Sequence, residues 1–213
     1  QYANYYFPEH KLPQTAISLL TDVDYSLRAV DADNMLLLSI DTYLGADHPL
    51  YEGIPNHIKN KLTIDHLESE IIDALAPRFV PKPNGRTFLD QLVFHGKRLL
   101  LHDYFAPAIE DHQHIQYTIS QWKWAVDHEA DVWRYFIDNE LLFSTDNNLH
   151  FRFLISSPYS KFYSYLDEGS PGRIGQWVGY QMIKKFQKRT EKTLQEILTT
   201  SSQEILKKSK YNP

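Results

Sequence analysis

The chain has 213 residues, a net charge of −5 and no cysteine, with 42% hydrophobic and 23% charged residues. These are ordinary globular values, and a chain of this length buries roughly 70% of its unfolded surface, so its core needs neither disulfide nor metal. Without cysteine, disulfides, thiolate catalysis and Cys-based zinc sites are excluded.

Basic residues gather near the C-terminus (Lys184, Lys185, Lys188 and Arg189, then Lys207, Lys208 and Lys210). That is the pattern of a solvated helix end, so no nucleic-acid partner is expected. No apolar run approaches the roughly 20 residues of a membrane-spanning helix. The opening Gln1-Tyr2-Ala3 reads as the start of a processed or truncated product. The 14 tyrosines suit half-buried surfaces, where the ring packs and the hydroxyl meets water or a partner.

In chain order, residues 1–13 carry Pro8 and Pro13 among Tyr and Asn and predict an extended arm. Residues 15–44 are strand-rich. One run lies over Thr15 to Val23 and another over Asn34 to Leu44, with turn chemistry at Asp31-Ala32-Asp33-Asn34 between them. Residues 63–208 read as helical. Leu67, Ile71 and Leu75 make one stripe, with Thr63 as N-cap and Pro77 as stop. A second helix, about Thr87 to Tyr104, carries Gly96 on its apolar face, which predicts that another backbone packs there.

Ile119, Trp122, Val126, Ala130, Trp133, Ile137 and Leu141 predict one long amphipathic helix over 118–143, opened by a Thr118/Gln121 capping box. Phe151 to Leu166 is apolar and aromatic, broken at Pro158. Ser170-Pro171 then offers a cap and a first helical residue for a helix burying Ile174, Trp177, Val178, Met182 and Phe186. Gly175 and Gly179 mark a groove for a crossing helix. Thr193/Glu196 and Ser201/Glu204 predict two further capped helices. The expectation is a single α+β domain over 1–213, mostly α, with a small N-terminal sheet followed by helices.

Chemistry is harder to find. A zinc-peptidase helix needs two histidines four residues apart with Glu beside the first. No two of the ten histidines have that spacing. His95-Gly96-Lys97-Arg98-Leu99 stands where such a motif would fit, with Gly and Leu in place of the needed residues. His128-Glu129 runs on to Val132. His112-x-His114 is compatible with a loop metal site, but without evident partners both read as surface histidines. There is no nucleophile elbow and no phosphate loop. Arg173, at a helix start, can hold a carboxylate or pair with an internal acid. No catalytic residue, metal ligand or cofactor site is predicted. The positions singled out as structural or interaction candidates are Asp41, Tyr43, His95, Lys97, Asn139, Glu140, Arg173 and Trp177, with the charged ones expected in a buried network.

Several segments, in order, resemble the GldB family of lipoproteins from gliding bacteria of the Bacteroidetes type. They are Ser39 to Pro49, Phe94 to Leu99, Trp133 to Thr145, Ser160-Lys161-Phe162 followed by Glu168 to Trp177, and Glu204 to Tyr211. The resemblance implies a periplasm-facing domain of the cell envelope, held to the membrane only by an N-terminal lipidated cysteine outside this chain. It implies partners among gliding or secretion machinery and no catalytic role. The family is also distantly similar to predicted zinc proteases carrying His-Glu-x-x-His on the helix matching about Phe88 to Tyr104. By that resemblance the domain is a zincin-like scaffold without its metal, a pseudo-peptidase whose groove binds peptide. Two other readings stay open: a metal-dependent peptidase with unconventional ligands, and a small-molecule module with an aromatic pocket around Trp177 and Tyr180.

Overall fold

A computed structural model describes residues 1–213. It is mostly helical with a small N-terminal sheet, as the sequence predicts. By their contacts the residues fall into two compact units, Gln1–Phe79 with Leu101–Gln116, and Val80–Leu100 with Tyr117–Pro213. No helix is long and apolar enough to cross a membrane.

The first unit does not begin with an extended arm. Tyr2–Tyr6 form a helical turn, α1. Its exit residue Phe7 is buried, with its ring 4.7 Å from Phe79 and 6.0 Å from Phe105. Aromatic burial thus fixes a segment that the prolines alone would leave extended. The sheet has strands β1 (Thr15–Leu19), β2 (Ala29–Ala32) and β3 (Met35–Ser39), in the order β1-β3-β2. β3 pairs parallel with β1, Thr15 opposite Met35, and antiparallel with β2, Ala29 opposite Leu38.

Asp31 and Ala32, assigned above to a turn, lie in β2. The reversal needs only Asp33, left-handed at φ +61°, and Asn34. Arg78 holds this hairpin. Its guanidinium donates two 2.5 Å bonds to the Asp31 carboxylate and others to the carbonyls of Lys11 and Asp33.

After β1 the chain turns through Asp22 and Val23, both at positive φ (53° and 59°), a costly conformation for a β-branched residue. Asp41 holds it there. Its buried carboxylate accepts the N–H groups of Thr21 at 3.0 Å and Val23 at 2.9 Å. Burial opposes the charge, but these hydrogen bonds outweigh it and keep the Asp41 pKa below the usual carboxylate range. The unit continues through α2 (Asn56–Lys59) to α3 (Leu67–Leu75), which packs on β2. Thr63 makes no side-chain cap; it heads a short 3-10 turn, Ile64–His66.

Helix α4 (Phe88–Phe105) contributes Phe88–Leu100 to the second unit and its last turn to the first. Its start is sealed by Thr87 and Asp90, which bond each other's backbone N–H groups. Helix α5 (Asp111–His114) belongs to the first unit. The predicted long helix is broken. It forms α6 (Ile119–Asp127) and α7 (Glu129–Asp138), ending before a 3-10 turn at Leu141–Phe143. At the break His128 has φ −110° and ψ 14°. Its ring stacks on Trp124 at 4.3 Å, and its Nδ1 donates to the Trp124 carbonyl at 2.9 Å. The predicted stripe is not the buried face: Ile119, Val126 and Ile137 are exposed at 75%, 48% and 46%, and of that stripe only Trp133 is buried, while Ala125, Val132 and Phe136 turn inward in place of the others.

Three more helices follow a short α8 (Asn148–Phe153): α9 (Ile174–Arg189), α10 (Leu194–Thr199) and α11 (Ser202–Ser209). The capping boxes at Thr118 and Thr193 form as predicted. Ser201 caps α11, while Glu204 turns instead to Lys192 and Lys208. Ser170 and Pro171 do not start α9. That helix begins after Arg173, left-handed at φ +63°, and the N–H of Ile174 is taken by the hydroxyl of Ser160 at 3.1 Å. The cap thus comes from a residue 14 positions away in sequence, which no local pattern announces.

α9 is the axis of the second unit, with Ile174, Trp177, Val178, Tyr180, Met182, Ile183 and Phe186 all buried. It meets α4 backbone to backbone. A Cβ on Gly96 would overlap the Gly179 carbonyl, and a Cβ on Gly179 would overlap the carbonyl of Leu92. This is the close approach that the glycine positions predict.

Two outcomes are expected from denaturant unfolding. Asp41→Ala should cost about 1–3 kcal/mol by orphaning the part-buried donors of Thr21 and Val23. Because the Asp41 pKa is lowered on folding, its contribution to stability is full above the ordinary carboxylate pKa and lost as pH falls through the folded value. An unchanged midpoint in the variant would remove Asp41 from this role. Gly179→Ala should cost about 3 kcal/mol or more, since neither neighbour at the overlap is a flexible side chain. A loss below about 1 kcal/mol would contradict the contact.

Candidate functional site

The predicted positions do not converge on one site. In the first unit, Asp41 is architectural as described, and Tyr43 lies close to the Arg28–Glu70 ion pair, whose N–O distance is 2.5 Å. The Tyr43 hydroxyl is buried without a hydrogen-bond partner, and its pKa is pushed up to about 12 by burial first, then by the charge of Glu70. In the second unit, His95 is half-buried beside Phe94. Asn139 and Glu140 are exposed at the end of α7, where Asn139 donates to the Tyr135 carbonyl at 2.9 Å and Glu140 is left-handed at φ +55°. They shape a chain reversal and are not part of a buried charge network. Arg173 heads α9. Trp177 and Tyr180 are each only 1% exposed, so they are core side chains and not walls of an open aromatic pocket.

Lys97 is the one predicted cation that is buried. Its ammonium donates at 2.6 Å to the carbonyl of Thr200, the C-cap of α10. It also lines a recess of about 360 Å³ with Asp90, Phe94 and Ser202, in which the Ser202 hydroxyl donates to Asp90. A cation on a helix-terminal carbonyl complements the dipole. Burial drives the Lys97 pKa down from 10.5 to about 8. The unfolded chain therefore holds this proton more tightly, and native stability rises with pH between those two values. Relative to Lys97→Met, the parent should gain at most about 3 kcal/mol between pH 7.5 and 10.5 in urea unfolding. A difference independent of pH would contradict the buried ammonium.

A second concavity, of about 580 Å³, lies between α8 and the following loop, lined by Phe151, Arg152, Tyr159, Lys161 and Tyr163, with Asp146 at its edge. Its geometry is set from below. The Arg152 guanidinium donates to the Lys161 carbonyl and the Tyr135 hydroxyl, both at 2.8 Å. It also lies over the Phe153 and Tyr163 rings, 4.7 and 5.0 Å from their centroids. The Lys161 ammonium lies 5.1 Å from the Tyr163 centroid. Neither cation is paired with a carboxylate. Tyr163 is held at φ +58° because the Asp167 carboxylate accepts the N–H groups of Phe162 and Tyr163, at 2.5 and 3.1 Å. The ring is nonetheless 70% exposed, and Phe151 is 63% exposed.

This arrangement offers two cations and three accessible aromatic faces on a rigid floor, the composition of a protein-contact surface. It presents no nucleophile paired with a base. Sequence reading recognised the Phe151–Leu166 run as aromatic but missed this surface. The available signal was the interleaving of cations with aromatics that fit neither a helical nor a strand period.

No curated protein and no solved structure gives a match to this chain. A family model described as "Gliding motility protein GldB" matches residues 1–213. The segments running from the Asp41 turn to the C-terminal Tyr211 are thus covered by one continuous match, and the chain belongs to the GldB gliding-motility lipoprotein family.

Proposed function

We propose that this chain is a non-catalytic, periplasm-facing interaction subunit of the machinery its family serves, and that it recognises an acidic, apolar segment of a partner protein. The observation that carries this reading is Tyr163, an exposed ring on a strained residue, flanked by two cations without acidic partners. Backbone strain at an exposed aromatic is retained where the side chain's position matters more than local stability. An acidic segment would gain charge-assisted hydrogen bonds from Arg152 and Lys161, and its apolar side chains would cover Phe151 and Tyr159.

The non-catalytic part draws support from α4. A His-Glu-x-x-His motif beginning at His95 would place Glu where Gly96 touches the α9 backbone, and the second His at Leu99, which is 4% exposed within the core. Those positions serve packing. The α4–α9 contact leaves no room for such ligands at these two positions.

In the source bacterium, full-length protein carrying Arg152→Glu and Lys161→Glu should accumulate normally and fail to restore the function lost on deletion. A photoreactive residue at Tyr159 should crosslink to a partner protein in the parent and not in the double variant. Full rescue with unchanged crosslinking would overturn the proposal. So would binding to anionic lipid vesicles that depends on Arg152 and Lys161 with no protein crosslink, since the surface would then read lipid.

A further inference from the structure

Two buried imidazoles in the first unit are unexplained by anything above. The last turn of α4 presents His102 and Asp103, and α5 presents Asp111 and His114, three residues apart. One ligand atom from each of Asp103, Asp111 and His114 lies within 4.8 Å of the other two. His114 Nδ1 is 3.2 Å from Asp103 Oδ1. Two ligands bound at zinc-type distances to one tetrahedral ion stand roughly 3.3 Å apart, so this pair is already at that spacing.

An independent observation comes from the rings themselves. His102 is completely buried, and neither of its nitrogens has a hydrogen-bond partner. His114 is 3% exposed, and its Nε2 is likewise without one. The surface histidine that the sequence suggested at 114 is a core residue. The two ring centroids are 5.4 Å apart, close to the roughly 5.2 Å expected for two imidazoles on one tetrahedral ion. The carboxylate facing His102 Nε2 is that of Asp73, with Oδ1 at 3.5 Å and too poorly aligned for a hydrogen bond. A buried ring nitrogen without a partner is costly, and these two adjoining rings carry three of them.

We propose that Asp103, Asp111 and His114 bind one first-row divalent cation of the zinc type, with the adjoining His102 ring completing the four ligands on a side-chain rotation. The donor set selects that class: mixed imidazole and carboxylate ligands suit zinc and its neighbours, whereas calcium and magnesium prefer oxygen alone. Asp73 stands where an outer carboxylate orients a ligating histidine. Asp111 is exposed, so the ion enters from the carboxylate side. The ion would tie α5 to the end of α4, a role independent of the groove at Tyr163. His112 is engaged with Glu110 at 3.3 Å and lies outside the set, which makes it the internal control.

The test uses the 213-residue chain, freed of metal with a chelator and titrated with cobalt(II) or zinc(II) alone by calorimetry and visible absorption. One equivalent should bind more tightly than micromolar, with the absorption of four-coordinate cobalt bleached by zinc. Asp111→Asn, which changes an exposed residue and should fold, and His114→Ala should each weaken binding by at least ~10-fold. His112→Ala should leave it unchanged. Absence of saturable binding at one equivalent would overturn the proposal. Binding that survives Asp111→Asn and His114→Ala, or that is lost with His112→Ala, would overturn it equally.

Discussion

Where α4 crosses α9, the carbonyl of Gly179 fills the volume that a Cβ at position 96 would need, and the Leu92 carbonyl does the same at position 179. Along this contact α9 buries a long face, from Ile174 to Phe186. The aromatic cluster beneath α8 then builds outward: Phe88 packs edge-on to Phe136 at 5.1 Å, and Phe153 meets Phe162 at 5.0 Å. At the far end of the second unit Tyr211 packs on Trp133 and donates to the Glu129 carboxylate at 2.7 Å. Helix α4 is thereby committed to the core along the stretch around Gly96 and Leu99.

That commitment moves the interest of the second unit to its surface. The groove at Arg152 and Tyr163 stands on the aromatic cluster, and Tyr135 belongs to both, since its hydroxyl donates to the Phe162 carbonyl at 2.7 Å and accepts from Arg152. A contact surface gains affinity when its anchors are fixed before the partner arrives. Here the floor beneath the cations and rings is made of core residues, Phe153 and Phe162 among them. The first unit has its own fixed points, the Asp41 carboxylate under the β1 turn and the Arg78 clamp on the hairpin.

Much of this was legible in the residues. Gly96 and Gly179 announce a close crossing because a glycine on a buried helix face has few other reasons to be there. Thr118 with Gln121 and Thr193 with Glu196 mark helix starts because capping is local. What stayed hidden depends on distant partners. Ser160 caps α9 across 14 residues, Phe7 is drawn in by Phe79 and Phe105, and His114 is buried by elements that sequence spacing cannot bring together. The break at His128 was invisible for another reason: apolar residues recur on more than one face of this stretch, so a single stripe could be drawn through it, and only the ring's bond to the Trp124 carbonyl marks the place. The groove escaped because it joins one face of the short helix α8 to the loop after it, where no period exists to reveal which side chains share a face.

The most direct measurement is hydrogen–deuterium exchange on affinity-isolated full-length protein, bound to its native partner and released from it. Slowed exchange confined to residues 157–165 in the bound state, with β1–β3 unaffected, is the result that recognition through Tyr163 and its flanking cations predicts. Protection elsewhere, with 157–165 exchanging at the same rate bound or free, would contradict it.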